Sequence, residues 1–139
     1  MKRILILCTG NSARSQIAEA FIKQLTFNRI DVYSAGTDPV PVNPYAIRVM
    51  KEIGIDISNN KSKSVNEFSN QVFDFVITVC DNARERCPVF QGSHTRIHKS
   101  FNDPVKVKGN EKVKTETFRK VRDQIRDWVT EFIDKYQIE

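Results

Sequence analysis

The 139-residue chain is about the length of one ordinary domain, enough for one core and too short for two. With 40% hydrophobic and 28% charged residues it belongs with globular rather than disordered chains, and no segment approaches the ~20 apolar residues that a membrane-spanning helix needs. The net charge of +5 comes from Lys and Arg interleaved with Asp and Glu, which argues against a nucleic-acid surface and suits an anionic substrate.

Met1-Lys2-Arg3 followed by Ile4 to Cys8 has the order of a signal peptide, but the apolar run is too short and no small-residue cleavage site follows. It reads as a buried strand of a parallel sheet, in a chain expected to be cytoplasmic and monomeric. Ile17, Ala20, Phe21 and Leu25 recur at helical spacing and predict a helix over Gln16 to Leu25, capped by Ser15. Ile30 to Tyr33 predicts a second strand, ended by the turn formers Ser34 to Pro39. A second helix is expected after Pro44, with Ala46, Ile47, Met50 and Ile53 on one face and Gly54 closing it. Asp56 to Ser69 reads as loop with a turn of helix. Phe73 to Val79 is the most strand-like run and delivers Cys80 to its end as the first strand delivers Cys8. Asp81 to Gly92 reads as a polar loop, Thr95 to His98 as a short edge strand, and Asn102-Asp103-Pro104 as the start of another loop. Phe118, Val121, Ile125, Trp128, Val129 and Phe132 mark a long amphipathic C-terminal helix. This alternation predicts a single α/β domain over 1–139, an open, mostly parallel sheet flanked by helices on both faces, with ligands at the carboxyl ends of the strands.

The loop Cys8-Thr9-Gly10-Asn11-Ser12-Ala13-Arg14-Ser15 lies at such an end, between strand and helix. Five residues separate Cys8 from Arg14, so the backbone can curl round an anion with its N–H groups inward, reinforced by the helix N-terminus. Arg14 supplies a planar fork for two oxygens of a phosphate-like group. Gly10 and Asn11 best tolerate the positive φ that such a curl demands. The same field is expected to lower the Cys8 thiol from ~8.5 to between ~3.5 and ~7.5, with Ser12 or Ser15 donating to its sulfur. A nucleotide-binding Walker loop is disfavoured because the Gly-Lys-Ser/Thr ending is absent. Three cysteines, an odd number, argue against a disulfide framework and for thiol chemistry or burial. Cys80, Cys87, His94 and His98 form a Cys/His set, but six residues between the cysteines exceed the usual zinc spacing, so no tightly bound metal is expected.

With Cys8 to Gln16, Val32-Tyr33-Ser34-Ala35-Gly36, Val42-Asn43-Pro44, Ile55-Asp56-Ile57-Ser58, Cys80, Cys87-Pro88, Asn102-Asp103-Pro104 and Phe118 to Asp123, the sequence resembles the low-molecular-weight tyrosine phosphatase fold family. Within it, the likeness is to the thioredoxin-coupled arsenate reductases. The resemblance implies Cys8 as nucleophile and Asp103 as general acid. It further implies that Cys80 attacks the Cys8 sulfur to release arsenite and that Cys87 then attacks Cys80, leaving a Cys80–Cys87 disulfide for thioredoxin. Phosphate would be an analogue of arsenate at the loop. A tyrosine phosphatase is the alternative, but phosphatases of this family usually carry tyrosines after the Asp-Pro, where Val105-Lys106-Val107 stands here. Ala13 replaces a further Cys of many such reductases, and Val105 to Val113 is longer and more basic than expected. Asn11, Glu19 and Ser34 resemble positions around a monovalent-cation (K+) site that steadies the loop. The segment between Cys80 and Cys87 is expected to rearrange, because a disulfide needs Cα atoms within ~7 Å.

Overall fold

The computed structural model describes residues 2–92 and 94–138; Met1, which opens the N-terminal motif, and Glu139, which ends the expected domain, lie outside them. Four parallel strands, β1 (Arg3–Cys8), β2 (Asp31–Gly36), β3 (Phe75–Thr78) and β4 (Thr95–His98), form one sheet in the order β2-β1-β3-β4. The helices are α1 (Arg14–Leu25), α2 (Pro44–Lys51), α3 (Asp81–Arg86) and α4 (Glu111–Lys135). The chain leaves β1 for one neighbour, β2, and later returns to the other, β3. The carboxyl end of β1 is therefore the topological switch point, where such sheets open a crevice for ligands. Cys8 is the residue at that end.

Strand β1 is apolar from Ile4 onward because both its faces are covered: Ile4, Leu5, Ile6 and Leu7 are fully buried. The apolar stripe of α4, Phe118, Val121, Ile125, Val129 and Phe132, is buried, and this helix packs on α1 and α2. Each such side chain contributes roughly 1.5–3 kcal/mol by leaving water. The sheet is an open parallel one flanked by helices, as the alternating pattern predicts.

Several boundaries differ from expectation for local reasons. Helix α1 starts at Arg14, with Ala13 at its N-cap and no capping side chain, so Ser15 is not the cap but lies inside the first turn. Strand β2 continues through Ser34, Ala35 and Gly36, because pairing with Ile6, Leu7 and Cys8 overrides their turn propensity. Gly54, at φ 82°, closes α2, its amide and that of Ile55 reaching back to Lys51 and Met50. Strand β3 is shorter than Phe73 to Val79, though Phe73 and Val79 are themselves buried. Residues 81–86, expected as loop, form the short helix α3, with Cys80 at its N-cap and Cys87 at its C-cap. The expected turn of helix falls at Val65–Phe68, as a 3-10 helix, and another, Pro104–Lys106, follows Asp103.

Candidate active site

The loop after β1 is turned so that its carbonyls point outward. Thr37 N–H donates to Cys8 O, Asp38 to Thr9 O, Val40 to Gly10 O and Asn43 to Ser12 O, at 2.8–3.1 Å. Asn11 O accepts from Ser62 Oγ at 2.7 Å and Gln16 Nε2 at 3.2 Å. With every carbonyl from Cys8 to Ser12 held from behind, the amides between them face the concave side. The positive φ falls on Asn11, at 49°, and not on Gly10. Asn11 tolerates it because its side chain is bonded on all sides: Nδ2 donates to Ser15 Oγ and Ser34 Oγ at 2.8 and 2.9 Å, and Oδ1 accepts from Gln16 Nε2 and the Lys63 amide. Asn11, Ser15, Gln16 and Ser34 are all fully buried.

Gly36, which sequence reasoning quoted without assigning it a role, is what lets the loop lie this close to β2. A Cβ there would stand 2.5 Å from Thr9 O and 2.9 Å from the Asn11 amide. The signal lay in the register, since Gly36 pairs directly with Cys8.

Cys8 Sγ lies 2.8 Å from Ser15 Oγ and accepts the Asn11 amide at 3.2 Å. Ser15, not Ser12, is thus the hydroxyl partner. Burial pushes the Cys8 thiol up from its ordinary value of 9.0, while Ser15, Asn11 and Arg14 pull it down. The expected lowering is therefore corrected: dehydration outweighs the donors. Arg14 contributes least of these because its guanidinium is turned away, donating to Phe101 O at 3.0 Å and facing Asp103 Oδ2 at 3.6 Å.

Asp103 caps the 3-10 turn that follows, Oδ1 accepting the Val105 amide at 3.1 Å. The Arg14–Asp103 pair stands between two cavities. One of about 210 Å³ holds Cys8 and the loop, with Asp38, Val40 and Val105 at its wall. The other, about 590 Å³, reaches Cys80 and Asn82. Thr9 joins them: its hydroxyl is 3.3 Å from Cys80 Sγ and 3.3 Å from Asn82 Oδ1.

All three cysteines are free thiols. Cys8 ends β1 and Cys80 lies two residues past the end of β3, its neighbour, and parallel pairing holds the two strands about 4.8 Å apart. Cys80 Sγ accepts the Ala83 amide at 3.4 Å. Cys87 is half-buried, its thiol pushed up by burial against the opposing charge of Arg96. The ring nitrogens of His98 are engaged by Thr78 and Asp81. No group of three or more His, Cys, Asp or Glu suited to a metal occurs among the described residues. Of the three cation candidates, Asn11 and Ser34 are bonded to one another, while buried Glu19 meets Lys23 Nζ at 3.4 Å.

A sequence model of the low molecular weight phosphotyrosine protein phosphatase family matches residues 3–139. The chain belongs to that family. Within it, the chain is similar to an arsenate reductase of Halalkalibacterium halodurans, 43% identical over 133 residues and covering 96% of each chain. Two solved structures resemble it in fold and sequence. An arsenate reductase in the phosphate binding state has a TM-score of 0.77 at 34% identity, covering 97% of this chain and 98% of the other. An arsenate reductase in oxidized state has a TM-score of 0.80 at 33% identity, with the same coverage.

Proposed function

We propose that this protein reduces arsenate to arsenite, with Cys8, Cys80 and Cys87 as a three-thiol relay and thioredoxin as the source of electrons. The observation that carries the reading is the placement of Cys80 beside Thr9, across the strand pair from Cys8, with Cys87 at the far end of one short helix.

Arsenate enters the loop cavity, its oxygens taking the inward amides of Thr9, Gly10, Ser12, Ala13, Arg14 and Ser15 and the fork of Arg14, which swings from Asp103. The Cys8 thiol, kept neutral by burial, passes its proton to an oxygen of the bound arsenate dianion, and the sulfur attacks arsenic. Asp103 protonates the departing oxygen, which leaves as water, giving a Cys8–S–As(V) adduct. Ser15 and the Asn11 amide, already on Cys8 Sγ, stabilise the sulfur when it later acts as leaving group. Cys80 attacks Cys8 Sγ; the S–As electron pair passes to arsenic, which departs as arsenite, As(III), and a Cys8–Cys80 disulfide forms. Cys87 attacks Cys80 Sγ, expelling the Cys8 thiolate, and an external dithiol reduces the resulting Cys80–Cys87 disulfide. Phosphate fits the same cavity as a competing analogue.

Val40 and Val105 on the cavity wall offer no aromatic surface to a phosphotyrosine ring, which favours the reductase over the phosphatase. A monovalent cation such as K+ at Asn11, Glu19 and Ser34 would have to displace the Asn11 Nδ2–Ser34 Oγ bond and the Lys23 ammonium beside Glu19, so these side chains as arranged do not fit one. No helix among the described residues is long and apolar enough to cross a membrane, which accords with work in the cytoplasm.

The test follows NADPH consumption with arsenate, thioredoxin and thioredoxin reductase, for the parent, Cys80→Ser and Cys87→Ser. The parent turns over and each variant loses multiple turnover. If both variants match the parent, the relay is wrong. Hydrolysis of p-nitrophenyl phosphate without arsenate reduction would mark a phosphatase.

A further inference from the structure

Helix α3 separates the two thiols that the relay must join. Seven residue steps lead along it from Cys80 to Cys87, roughly 10 Å at the helical rise of ~1.5 Å per residue, beyond the ~7 Å a disulfide spans. Six residues are too few for a helix to hold itself. Packing does little for it, since Ala83 is its one buried residue and a cavity of about 180 Å³ lies between it and β4.

Polar ties from β4 supply what packing does not. Arg96 and His98 alternate along that strand and so share a face. His98 is fixed through Nδ1 to Thr78 Oγ1 at 2.7 Å, and its Nε2 meets Asp81 Oδ1, in the first residue of α3, at 3.0 Å. Arg96 Nη2 donates to Pro88 O at 2.7 Å, just past the other end, and its guanidinium stands beside the Cys87 thiol. One tie grips each end of the segment.

We propose that edge strand β4 is a clasp on the relay helix: Arg96 and His98 are positioning residues that hold Cys87 away from Cys80 in the reduced protein and so set how readily the Cys80–Cys87 disulfide forms. The inference rests on the relay reading. The clasp contacts no arsenate and acts only through α3; it stabilises the dithiol against the disulfide, in which α3 is unwound and both ties are lost. It also keeps the disulfide easily reduced, so that an external dithiol can restart the cycle.

The experiment equilibrates the chain in a Cys8→Ser background with dithiothreitol redox buffers and counts alkylated thiols by mass. Arg96→Gln and His98→Gln should each shift the equilibrium toward the Cys80–Cys87 disulfide about tenfold, a potential about 30 mV more negative. Asp81→Asn attacks the same tie from an exposed position, with 67% of its side chain in solvent, and leaves the core untouched. It should match His98→Gln, and the double variant should shift no further than either single one. A parent that forms the disulfide while all three variants keep its potential overturns the clasp and leaves the relay standing. A parent that forms no Cys80–Cys87 disulfide overturns the relay, and the clasp with it.

Discussion

The loop from Cys8 to Ser15 and the segment from Cys80 to Pro88 lie side by side and are built on opposite terms. In the first, every carbonyl from Cys8 to Ser12 is held from behind, Asn11 is bonded on all sides, and Gly36 leaves no slack. In the second, a six-residue helix with one buried residue is tied at its ends over a cavity. The contrast matches the roles proposed for each. Charge developing on an oxyanion is best met by donors that need not reorganise, whereas a thiol that must travel several ångströms needs a segment cheap to unfold.

The contrast can be broken hardest at Cys8 and Arg14. Cys8→Ser should abolish arsenate reduction, and Arg14→Lys, which keeps charge but loses the fork, should lower kcat/KM by roughly 10²–10³-fold. Steady-state kinetics with arsenate checks both. Gly36→Ala comes next. Its methyl would meet Thr9 O and the Asn11 amide, so an unfolding titration should show a loss of about 1–3 kcal/mol, with activity falling alongside. In the segment from Cys80 to Pro88 the expected damage is selective. Cys87→Ser should release a single arsenite per chain in a rapid-quench experiment and then stop, because the first exchange needs only Cys8 and Cys80.

A pH series gives a gentler comparison. Both Cys8 and Cys87 have their thiols raised by burial, so the folded protein prefers them neutral. The stability this carries is fully present below the unfolded value, near 9.0, and is lost as pH rises through the higher folded values. The melting temperature should therefore drop as pH is raised above about 9, and drop less in Cys8→Ser. Smallest of all is Glu85→Gly, at an exposed position of α3, costing no more than about 1 kcal/mol while speeding Cys80–Cys87 bridging in a stopped-flow assay.

Much of the rigid region was legible from residue types alone. Cys8, Arg14 and the small residues between them announce an anion loop, and Asn11 was one of two candidates for its positive φ. What the pattern could not carry was the direction of the Cys8 shift, because burial depends on α1 and β2 closing over the sulfur. Nor could it carry the role of Gly36, which exists only once β2 is in register with β1. The segment from Cys80 to Pro88 was harder. Asp81 to Arg86 is polar and short, so its helicity rests on a Cys80 cap and on β4, neither visible as periodicity. His98 looked like a stray edge residue until pairing placed it opposite Thr78, within reach of Asp81.

The outward carbonyls of the anion loop have one more effect. Amides fixed around a tetrahedral cavity report shape and charge, and they have no means of sensing which atom sits at the centre. On the proposed function, arsenate and phosphate compete there as close analogues. Discrimination is then kinetic rather than a matter of affinity, falling at the step where an electron pair passes to the central atom, which arsenic accepts and phosphorus does not. The rate in a cell would follow the ratio of arsenate to phosphate rather than arsenate alone, so that phosphate starvation by itself would raise the output of an unchanged amount of enzyme.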